Sequence, residues 1–391
     1  MPPAGNLPHA APASASLDAG TAPNPAAAPC PMNDSSPLLR RATAAVDCFR
    51  GRPGTGIHSL DDVLRLLDLE FPGHGRLALE QPVSTAGGWR QALAPRSIYH
   101  VLASNLSVSA EVSLFLGWIL GARLYFKLPA SGLPDFQDLV HRLPADAAAS
   151  LLTTHDPVLM NTCDAIVAFG SDESIAALRA QIRGCPRFLT YGSKISLLWL
   201  PPGGASPDQA ALAAADVAAF QQLGCLSPQA CLCADPADAP VFAAALATAL
   251  RAHAALLQPP PALLPALQEF RLRAHARGDQ VWEVTPEPGP TVILPAQPRI
   301  EPGPGCGCIA VLPAPDPAPL LEPWRGHIST LSIASPSIPS SLWSLATHWR
   351  IPRLCPAGQA QNPPLHWLHD GRPRLADLVS WTAADPALPI S

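Results

Sequence analysis

The sequence predicts an α/β protein built around a doubly wound dinucleotide-binding domain. The first observation is a strand–helix–strand pattern over residues 97–128, and the second is a similar pattern over residues 164–200. The third is the presence of 49 prolines among 391 residues, which excludes a bundle of long uninterrupted helices. Parallel strands joined by short helices account for all three observations.

The elements follow in order along the chain. A first helix is expected over residues 60–69, with Ser59 as its N-cap. The first βαβ unit consists of strand 97–106, helix 110–120 and strand 124–128. The second consists of strand 164–169, the turn 170–173, helix 174–182 and the strands 187–191 and 194–200. Three helices and three short strands should complete the chain: 207–222, 239–257 and 261–277, then 291–294, 308–312 and 328–333.

Composition and charge narrow the functional classes. The chain has a net charge of −5, so no basic surplus is available for nucleic-acid phosphates. The longest apolar stretch, residues 112–126, contains Arg123 and is too short to cross a bilayer. We therefore expect no nucleic-acid partner and no membrane span.

The N-terminus and the cysteines predict a reducing, cytoplasmic setting. Residues 1–37 are rich in alanine, proline and serine without an apolar period, so they should be disordered. They show neither the basic region nor the apolar core of a signal peptide. The ten cysteines are few for a chain of this length, and we expect mostly free thiols.

Cys225 is the first candidate for chemistry. Gly224 before it allows close approach of another segment, and Ser227-Pro228 after it forms a turn or begins a second helix. A thiol at a helix N-terminus has a lowered pKa and is a better nucleophile at neutral pH. The alternative is a buried, inert cysteine, which the local residues alone favour.

Two further features lie where parallel strands should end. Gly170 and Ser171 form a small-residue turn before a helix, which could present backbone N–H groups to a phosphate. The alternative is an ordinary turn with Ser171 or Asp172 as N-cap. Lys127 ends an apolar strand, where a charge usually faces a ligand crevice, although a surface lysine would look the same.

A metal site is not expected. The pairs Cys231/Cys233 and Cys306/Cys308 lack the spacing and partners of a zinc site. His369, close to the C-terminus, is expected to pack within a loop.

Six segments together show a resemblance that none shows alone. They are SIYHVLASNLSVSAE (97–111), FKLPAS (126–131), DAIVAFGSDESIAALRA (164–180), RFLTYGSKISLLWL (187–200), FQQLGCLSPQ (220–229) and CPAGQAQNPPLHWLHDGRP (355–373). In this order the chain resembles the bacterial acyl-CoA reductases, whose best-known members supply aldehyde to bacterial luciferase. That family belongs to the aldehyde dehydrogenase superfamily.

The resemblance implies an aldehyde-dehydrogenase-like α/β fold and a set of site residues. Cys225 matches the nucleophile, and Asn105 matches the amide that helps to hold the oxyanion. Lys127 matches the lysine that contacts the adenosine ribose or its phosphate. Gly170 and Ser171 match the turn that faces the dinucleotide phosphates.

The implied activity is NADPH-dependent reduction of a fatty acyl thioester to the aldehyde through a cysteine acyl-enzyme. The implied partners are an acyl-CoA or acyl-protein donor, an acyl-protein synthetase and further copies of the same chain. Residues 187–196 hold no match to the glutamate base of aldehyde oxidation, which suits a reductase. Two alternatives stay open: an acyl-binding or scaffolding relative without catalysis, and an aldehyde dehydrogenase that runs toward the acid.

The NADPH preference is expected from the residues after Lys127. No acidic residue follows until Asp135, so nothing nearby repels a ribose phosphate, and Ser131 offers a hydrogen bond. The alternative is that a distant residue sets the preference. The domains are expected at 38–222 for dinucleotide binding and 223–360 for catalysis, with residues 361–391 packing on the body.

Overall fold

The computed structural model describes residues 36–71, 75–104, 106–184, 187–286 and 288–388. Disorder was expected over residues 1–37; residues 1–35 and Asn105 lie outside the described residues, whereas Ser36 caps the first helix and Pro37 begins it, so the predicted segment is too long by two residues. The described α-helices are α1 (Pro37–Phe49), α2 (Leu60–Glu70), α3 (Val108–Leu120), α4 (Pro134–Val140), α5 (Ala145–Ala149), α6 (Pro157–Thr162), α7 (Asp172–Gln181), α8 (Pro207–Ala218), α9 (Asp238–Arg251), α10 (Leu264–Ala276), α11 (Ala318–Leu321) and α12 (Ser340–His348).

The described strands form three sheets. They are β1 (Val83–Thr85), β2 (Gly88–Leu93), β3 (Ser97–Val101), β4 (Arg123–Lys127), β5 (Leu151–Thr153), β6 (Ala165–Phe169), β7 (Arg187–Tyr191), β8 (Ile195–Leu200), β9 (Pro228–Cys233), β10 (Gln280–Glu283), β11 (Thr291–Leu294), β12 (Cys308–Pro313), β13 (Ile328–Ile333), β14 (Arg353–Pro356) and β15 (Ser380–Ala384).

The five-stranded sheet is parallel, with the strand order β5-β4-β3-β6-β7. The chain winds outward from β3 through β4 to β5, then returns to the other side of β3 for β6 and β7. The direction of winding therefore reverses between β3 and β6, at the place where such sheets bind ligands beyond the carboxyl ends of their strands. The doubly wound α/β prediction is confirmed.

The seven-stranded sheet has the order β10-β11-β12-β9-β8-β13-β14. Strand β10 is antiparallel to β11, and all other neighbouring strands of this sheet are parallel. The chain changes sheet between Tyr191 and Ile195. Strand β8 and helix α8 therefore belong with the second sheet, although the sequence placed them in a first domain that ended at residue 222. An apolar strand carries no mark of which sheet it joins, so its sheet could not be predicted from the sequence.

A small antiparallel sheet, β1-β2-β15, joins the two ends of the described chain. The C-terminal segment is held there by the Glu70 carboxylate, which accepts hydrogen bonds from the backbone N–H groups of Arg374 (2.9 Å), Leu375 (2.6 Å) and Ala376 (2.9 Å). Leu375, Leu378 and Val379 are buried in the same core as α1, α2 and α3. Residues far apart in sequence thus reach one site.

Helix ends follow local chemistry. Ser59 caps α2 as predicted, and Asp62 completes a reciprocal capping box. Helix α8 ends at Ala218, four residues before the predicted end, because Ala219 leaves the helical conformation and residues 220–222 are left-handed. None of the described helices is both long enough and apolar enough to cross a bilayer.

Candidate active site

A cavity of about 600 Å³ lies where the two larger sheets meet. One wall consists of residues just beyond β3, β6 and β7, including Ala103, Gly170 and Gly192. The opposite wall contains Cys225 and Gln229, and the C-terminal segment closes a third side with Trp367 and Asp370. The cavity thus occupies the position predicted by the winding of the five-stranded sheet.

Cys225 lies on the short connection between α8 and β9 and lines this cavity. Its carbonyl oxygen accepts a hydrogen bond of 2.6 Å from the Ser196 hydroxyl on β8. A Cβ atom added at Gly224 would lie 3.0 Å from a methyl group of Leu106, so another segment does approach closely at this glycine, as the sequence predicted, and a side chain here would displace Leu106 slightly.

A strained turn positions the cysteine. Phe220, Gln221 and Gln222 have φ values of 54°, 56° and 61°, which bulky side chains rarely adopt. The buried Gln222 amide ties this turn down: Nε2 donates to the carbonyls of Pro228 (2.8 Å) and Cys308 (2.9 Å), and Oε1 accepts from the Gly307 N–H at 2.9 Å. The Gln222 side chain therefore ties the turn to the beginnings of β9 and β12, which are neighbours in the seven-stranded sheet.

The electrostatic surroundings of Cys225 contradict one part of the sequence interpretation. Strand β9 follows the cysteine, so no helix N-terminus lowers the pKa of its thiol. Burial instead raises the pKa of Cys225 to about 11, and the Asp370 carboxylate adds to the rise, whereas the Ser329 hydroxyl and the Lys194 ammonium oppose it. At neutral pH the resting group is the thiol, and a proton acceptor is needed to activate it.

Lys194 and Asp370 stand between this cavity and a second one of about 430 Å³, because both residues line both cavities. Lys194 Nζ donates to the carbonyl oxygen of Gly326. Asp370 has a left-handed backbone, with φ of 53°, and its buried Oδ1 has no hydrogen-bond partner among the described residues. Burial raises the pKa of Asp370, while Lys194 and Arg372 act in the opposite direction.

His369 packs rather than titrates. Its ring stacks on Tyr191 and on Trp367, with centroid distances of 4.3 Å and 4.8 Å. Burial, with the nearby Arg374, Arg372 and Lys194, lowers the pKa of His369 to about 3, so it is neutral at physiological pH. The packing role expected of this histidine is thus what the contacts show.

One part of the cavity extends along the face of the five-stranded sheet. His100, Val167 and Leu189 are neighbours across β3, β6 and β7, and each lies three residues before the strand-end residues of the same cavity. Three residues of strand span about 10 Å. We call this part the deep arm. Ser113 of α3 lines the same cavity, as do Leu116 and Leu378, which belong with Val167 and Leu189 to one buried apolar cluster.

The deep arm is mostly apolar, with one buried imidazole. His100 is 1% exposed, its ring stacks 4.5 Å from Phe126, and neither ring nitrogen has a partner among the described residues. Burial lowers the pKa of His100 to about 3, so the ring is neutral. A hydrocarbon chain would fit the remaining lining of Val167, Leu189, Leu116 and Leu378.

The predicted cofactor residues are brought together in part. Gly170 and Ser171 line the cavity, and the Ser171 hydroxyl accepts from the Ser174 N–H at 3.2 Å, so it also caps α7. Lys127 ends β4 at the same edge of the sheet but is not among the residues that line the cavity. No cluster of three or more metal-binding side chains occurs within the described ranges.

The family model for acyl-CoA reductase, LuxC, matches residues 153–381, which is more than half of the chain. The chain belongs to the LuxC acyl-CoA reductase family. The matched range contains Gly170, Ser171 and Cys225, as well as Lys194 and Asp370. No curated protein matches the chain by sequence.

Solved structures show the fold of this LuxC-family chain. A putative aldehyde dehydrogenase, PutA, from Anabaena variabilis has a TM-score of 0.62 and 11% identity, covering 89% of this chain and 87% of that one. Methylmalonate-semialdehyde dehydrogenase from Oceanimonas doudoroffii has a TM-score of 0.64 and 11% identity, with 91% and 88% covered. Indole-3-acetaldehyde dehydrogenase from P. syringae, solved with NAD+ and IAA, has a TM-score of 0.60 and 12% identity, with 89% and 84% covered. The fold is aldehyde-dehydrogenase-like.

Sequence reasoning missed three residues of this LuxC-family site: Gln222, Lys194 and Asp370. A signal existed for Lys194, since the chain has only two lysines and both lie at carboxyl-end edges of strands or just beyond them. Asp370 was part of a segment that carried the resemblance, but its contacts depend on the course of the C-terminal segment. Gln222 could not have been found, because its partners lie on two different strands.

Proposed function

We propose that this LuxC-family protein reduces a fatty acyl thioester to the aldehyde with NADPH, through an acyl-enzyme on Cys225. The observation that carries the proposal is that Cys225 lines the same cavity as the carboxyl edge of the five-stranded sheet, where a dinucleotide would bind, and the apolar deep arm. An acyl carbon bound to its sulfur could thus lie near a nicotinamide while the chain occupies the deep arm.

The residues present fit a dinucleotide. The cavity touches the carboxyl edge of β3, β6 and β7, where the sheet reverses direction, and Gly170 in the turn after β6 presents backbone without a side chain there. We assign Ser171 to the diphosphate and Lys127 to the adenosine ribose and its 2′-phosphate. When bound, the nicotinamide of NADPH supplies the hydride that converts the acyl group to an aldehyde.

The chain's own residues carry out the acyl transfer. Cys225, once deprotonated, attacks the thioester carbonyl, and its sulfur replaces the thiol of the donor. We assign Asn105 and the Cys225 N–H to the oxyanion that forms in this step. The stacked rings of Tyr191, His369 and Trp367 and the buried surroundings of the thiol limit water at the acyl-enzyme, which favours reduction over hydrolysis.

The acyl donor is proposed to be acyl-CoA or an acyl-carrying protein, and an acyl-protein synthetase and further copies of the chain are proposed partners. The raised pKa of Cys225 does not favour the non-catalytic alternative, because a nearby carboxylate can accept the proton. Oxidation of an aldehyde to the acid would require activated water at the acyl-enzyme, and residues 187–196, where the resemblance would place the glutamate base of aldehyde oxidation, contain no glutamate.

The test is a direct assay with purified full-length protein, NADPH and acyl-CoAs of four to sixteen carbons. We expect loss of absorbance from NADPH, matched by an equal amount of aldehyde, with the longer chains preferred. Acyl-CoA binding without NADPH oxidation would support the scaffolding alternative. Formation of acid from aldehyde and NADP+, without acyl-CoA reduction, would support the oxidative one.

A further inference from the structure

The tight turn at residues 369–372 places Asp370 in the wall of the cavity that Cys225 also lines. Asp370 and Gly371 both have left-handed backbones, with φ of 53° and 75°, and His369 and Arg372 form an isolated antiparallel bridge. Aspartate is among the few residues that tolerate this conformation. The turn therefore fixes the direction in which the Asp370 side chain leaves the backbone.

Contacts with β7 hold the turn in place. The Arg372 guanidinium donates to the Thr190 carbonyl oxygen at 2.6 Å and lies 5.3 Å from the centre of the Tyr191 ring. His369 stacks on the same ring. The turn is thus attached to the strand that ends immediately before the Gly192–Lys194 wall of the cavity.

Asp370 has an oxygen left for a ligand. Its Oδ1 is buried and unpaired within the described ranges, although a buried carboxylate normally gathers donors. Two cations that act on Asp370 make their hydrogen bonds to other groups: Lys194 donates to the carbonyl of Gly326, and Arg372 donates to the carbonyl of Thr190. Asp370 and Cys225 line the same cavity. The Asp370 carboxylate adds to the rise that burial causes in the pKa of the Cys225 thiol.

We propose that Asp370 is the base that takes the Cys225 proton during acyl transfer and returns it to the departing thiol. This inference rests on the proposed function. The proton moves from Sγ to an Asp370 oxygen, directly or through one water molecule, as the S–C bond forms. The bond from carbon to the donor sulfur then breaks, and the carboxylic acid protonates the donor thiolate. After hydride transfer the aldehyde leaves, and the Cys225 thiolate takes a proton from solvent.

The charged groups around Cys225 and Asp370 favour a state in which the two side chains together hold one proton. The Lys194 ammonium lowers the pKa of both Cys225 and Asp370, Arg372 lowers that of Asp370, and the Cys225 thiolate would in turn favour the charged form of Arg353 on β14. Each cation favours a negative charge on the pair, whereas two negative charges would repel each other. Transfer of the proton from Cys225 to Asp370 leaves the two side chains with a single negative charge in total.

The experiment compares two rates in the full-length wild type and the Asp370→Asn variant. The first is the release of coenzyme A from dodecanoyl-CoA in a single turnover without NADPH. The second is alkylation of Cys225 by iodoacetamide as a function of pH. We expect coenzyme A release to fall by about 10²–10⁴-fold, the usual contribution of a general base. We expect the pKa of the thiol to fall as well, because a neighbouring negative charge has gone.

This combination separates a base from a charge that merely perturbs the thiol. If Asp370 only repels the thiolate, its removal raises alkylation and coenzyme A release together, which would overturn the proposal. Unchanged release would also overturn it. The matched control is Asp377→Asn, which changes a carboxylate of the same segment that does not line either cavity and should leave both rates unchanged.

Two further readouts keep the outcome clear. Asp370→Gly suits the left-handed backbone and gives an independent variant if the asparagine protein does not fold; added formate should restore part of its release rate. Absence of that rescue in a folded glycine variant would count against the proposal. If the wild type and Asp377→Asn released no coenzyme A, acyl transfer itself would be refuted, and the base with it.

Discussion

Lys127 is the residue that we assign to cofactor choice. It ends β4, pairs in register with Val101 of β3, and is followed by a segment without nearby acids. A partly desolvated contact with the 2′-phosphate is worth about 1–3 kcal/mol, which corresponds to about ten- to a hundredfold in affinity. Lys127→Ala should reduce kcat/KM with NADPH by this factor and leave the value with NADH nearly unchanged.

The control for this prediction lies at the other end of the same strand. Arg123 begins β4 and is exposed, so Arg123→Ala removes a positive charge far from the proposed phosphate site. Steady-state kinetics with both cofactors decide the matter. Equal use of NADH by the wild type would refute the preference, and an unchanged ratio in Lys127→Ala would move the phosphate contact to another residue.

Gln222 is the residue on which the strained turn before Cys225 depends. Gln222→Leu removes three buried hydrogen bonds, those to the carbonyls of Pro228 and Cys308 and the one from the N–H of Gly307. Each buried hydrogen bond is worth about 1 kcal/mol, so we expect a loss of about 3 kcal/mol in the free energy of unfolding. Urea unfolding measures it.

The comparison variant is Gln181→Leu, because the Gln181 amide bonds only within its own helix and is exposed. It should change the free energy of unfolding by less than about 0.5 kcal/mol. Similar stability of the two variants would mean that the Gln222 contacts do not hold the turn.

At the scale of elements, helix α3 decides how much acyl chain the deep arm accepts. Leu116 faces the arm from α3 and is almost fully buried. Leu116→Trp should fill the arm, reducing kcat/KM for tetradecanoyl-CoA by more than about tenfold while butanoyl-CoA changes little, since a few methylenes are worth about 1–3 kcal/mol. NADPH oxidation with both substrates measures the ratio.

An exposed leucine provides the reference for this substitution. Leu272 on α10 is 68% exposed, and Leu272→Trp should leave both substrates unaffected. A uniform loss with short and long chains in Leu116→Trp would show that the arm does not hold the acyl chain.

The elements that could be predicted are those with a strong local pattern. Strands β7, β11 and β13 were predicted at their observed ends, and α3 and β4 to within two residues, because apolar runs ended at turns, glycine or proline. Strand β3 ends at Val101, five residues before the predicted end at 106. Strands β1, β2 and β15 were missed: they are short or carry exposed polar residues, and β15 forms only by pairing with β2 across most of the chain, whereas β1 and β2 form a local hairpin. Local spacing contains no information about such pairing.

At the scale of the whole molecule, the site depends on three distant parts of the chain. The five-stranded sheet contributes Gly170, the connection before β9 contributes Cys225, and the C-terminal segment contributes Asp370. Glu70 and β2 hold that last segment in place. The sequence could therefore indicate the nucleophile and the phosphate turn from local motifs, but not the carboxylate, since its position depends on how the chain returns.

The central claim is that Cys225 carries the acyl group. Incubation of the full-length protein with radioactive acyl-CoA, without NADPH, followed by proteolysis and peptide sequencing, tests it most directly. We expect label on one peptide containing Cys225, loss of the label on addition of NADPH with release of labelled aldehyde, and no label in a folded Cys225→Ala protein. Label on another cysteine, or full activity of Cys225→Ala, would contradict the account.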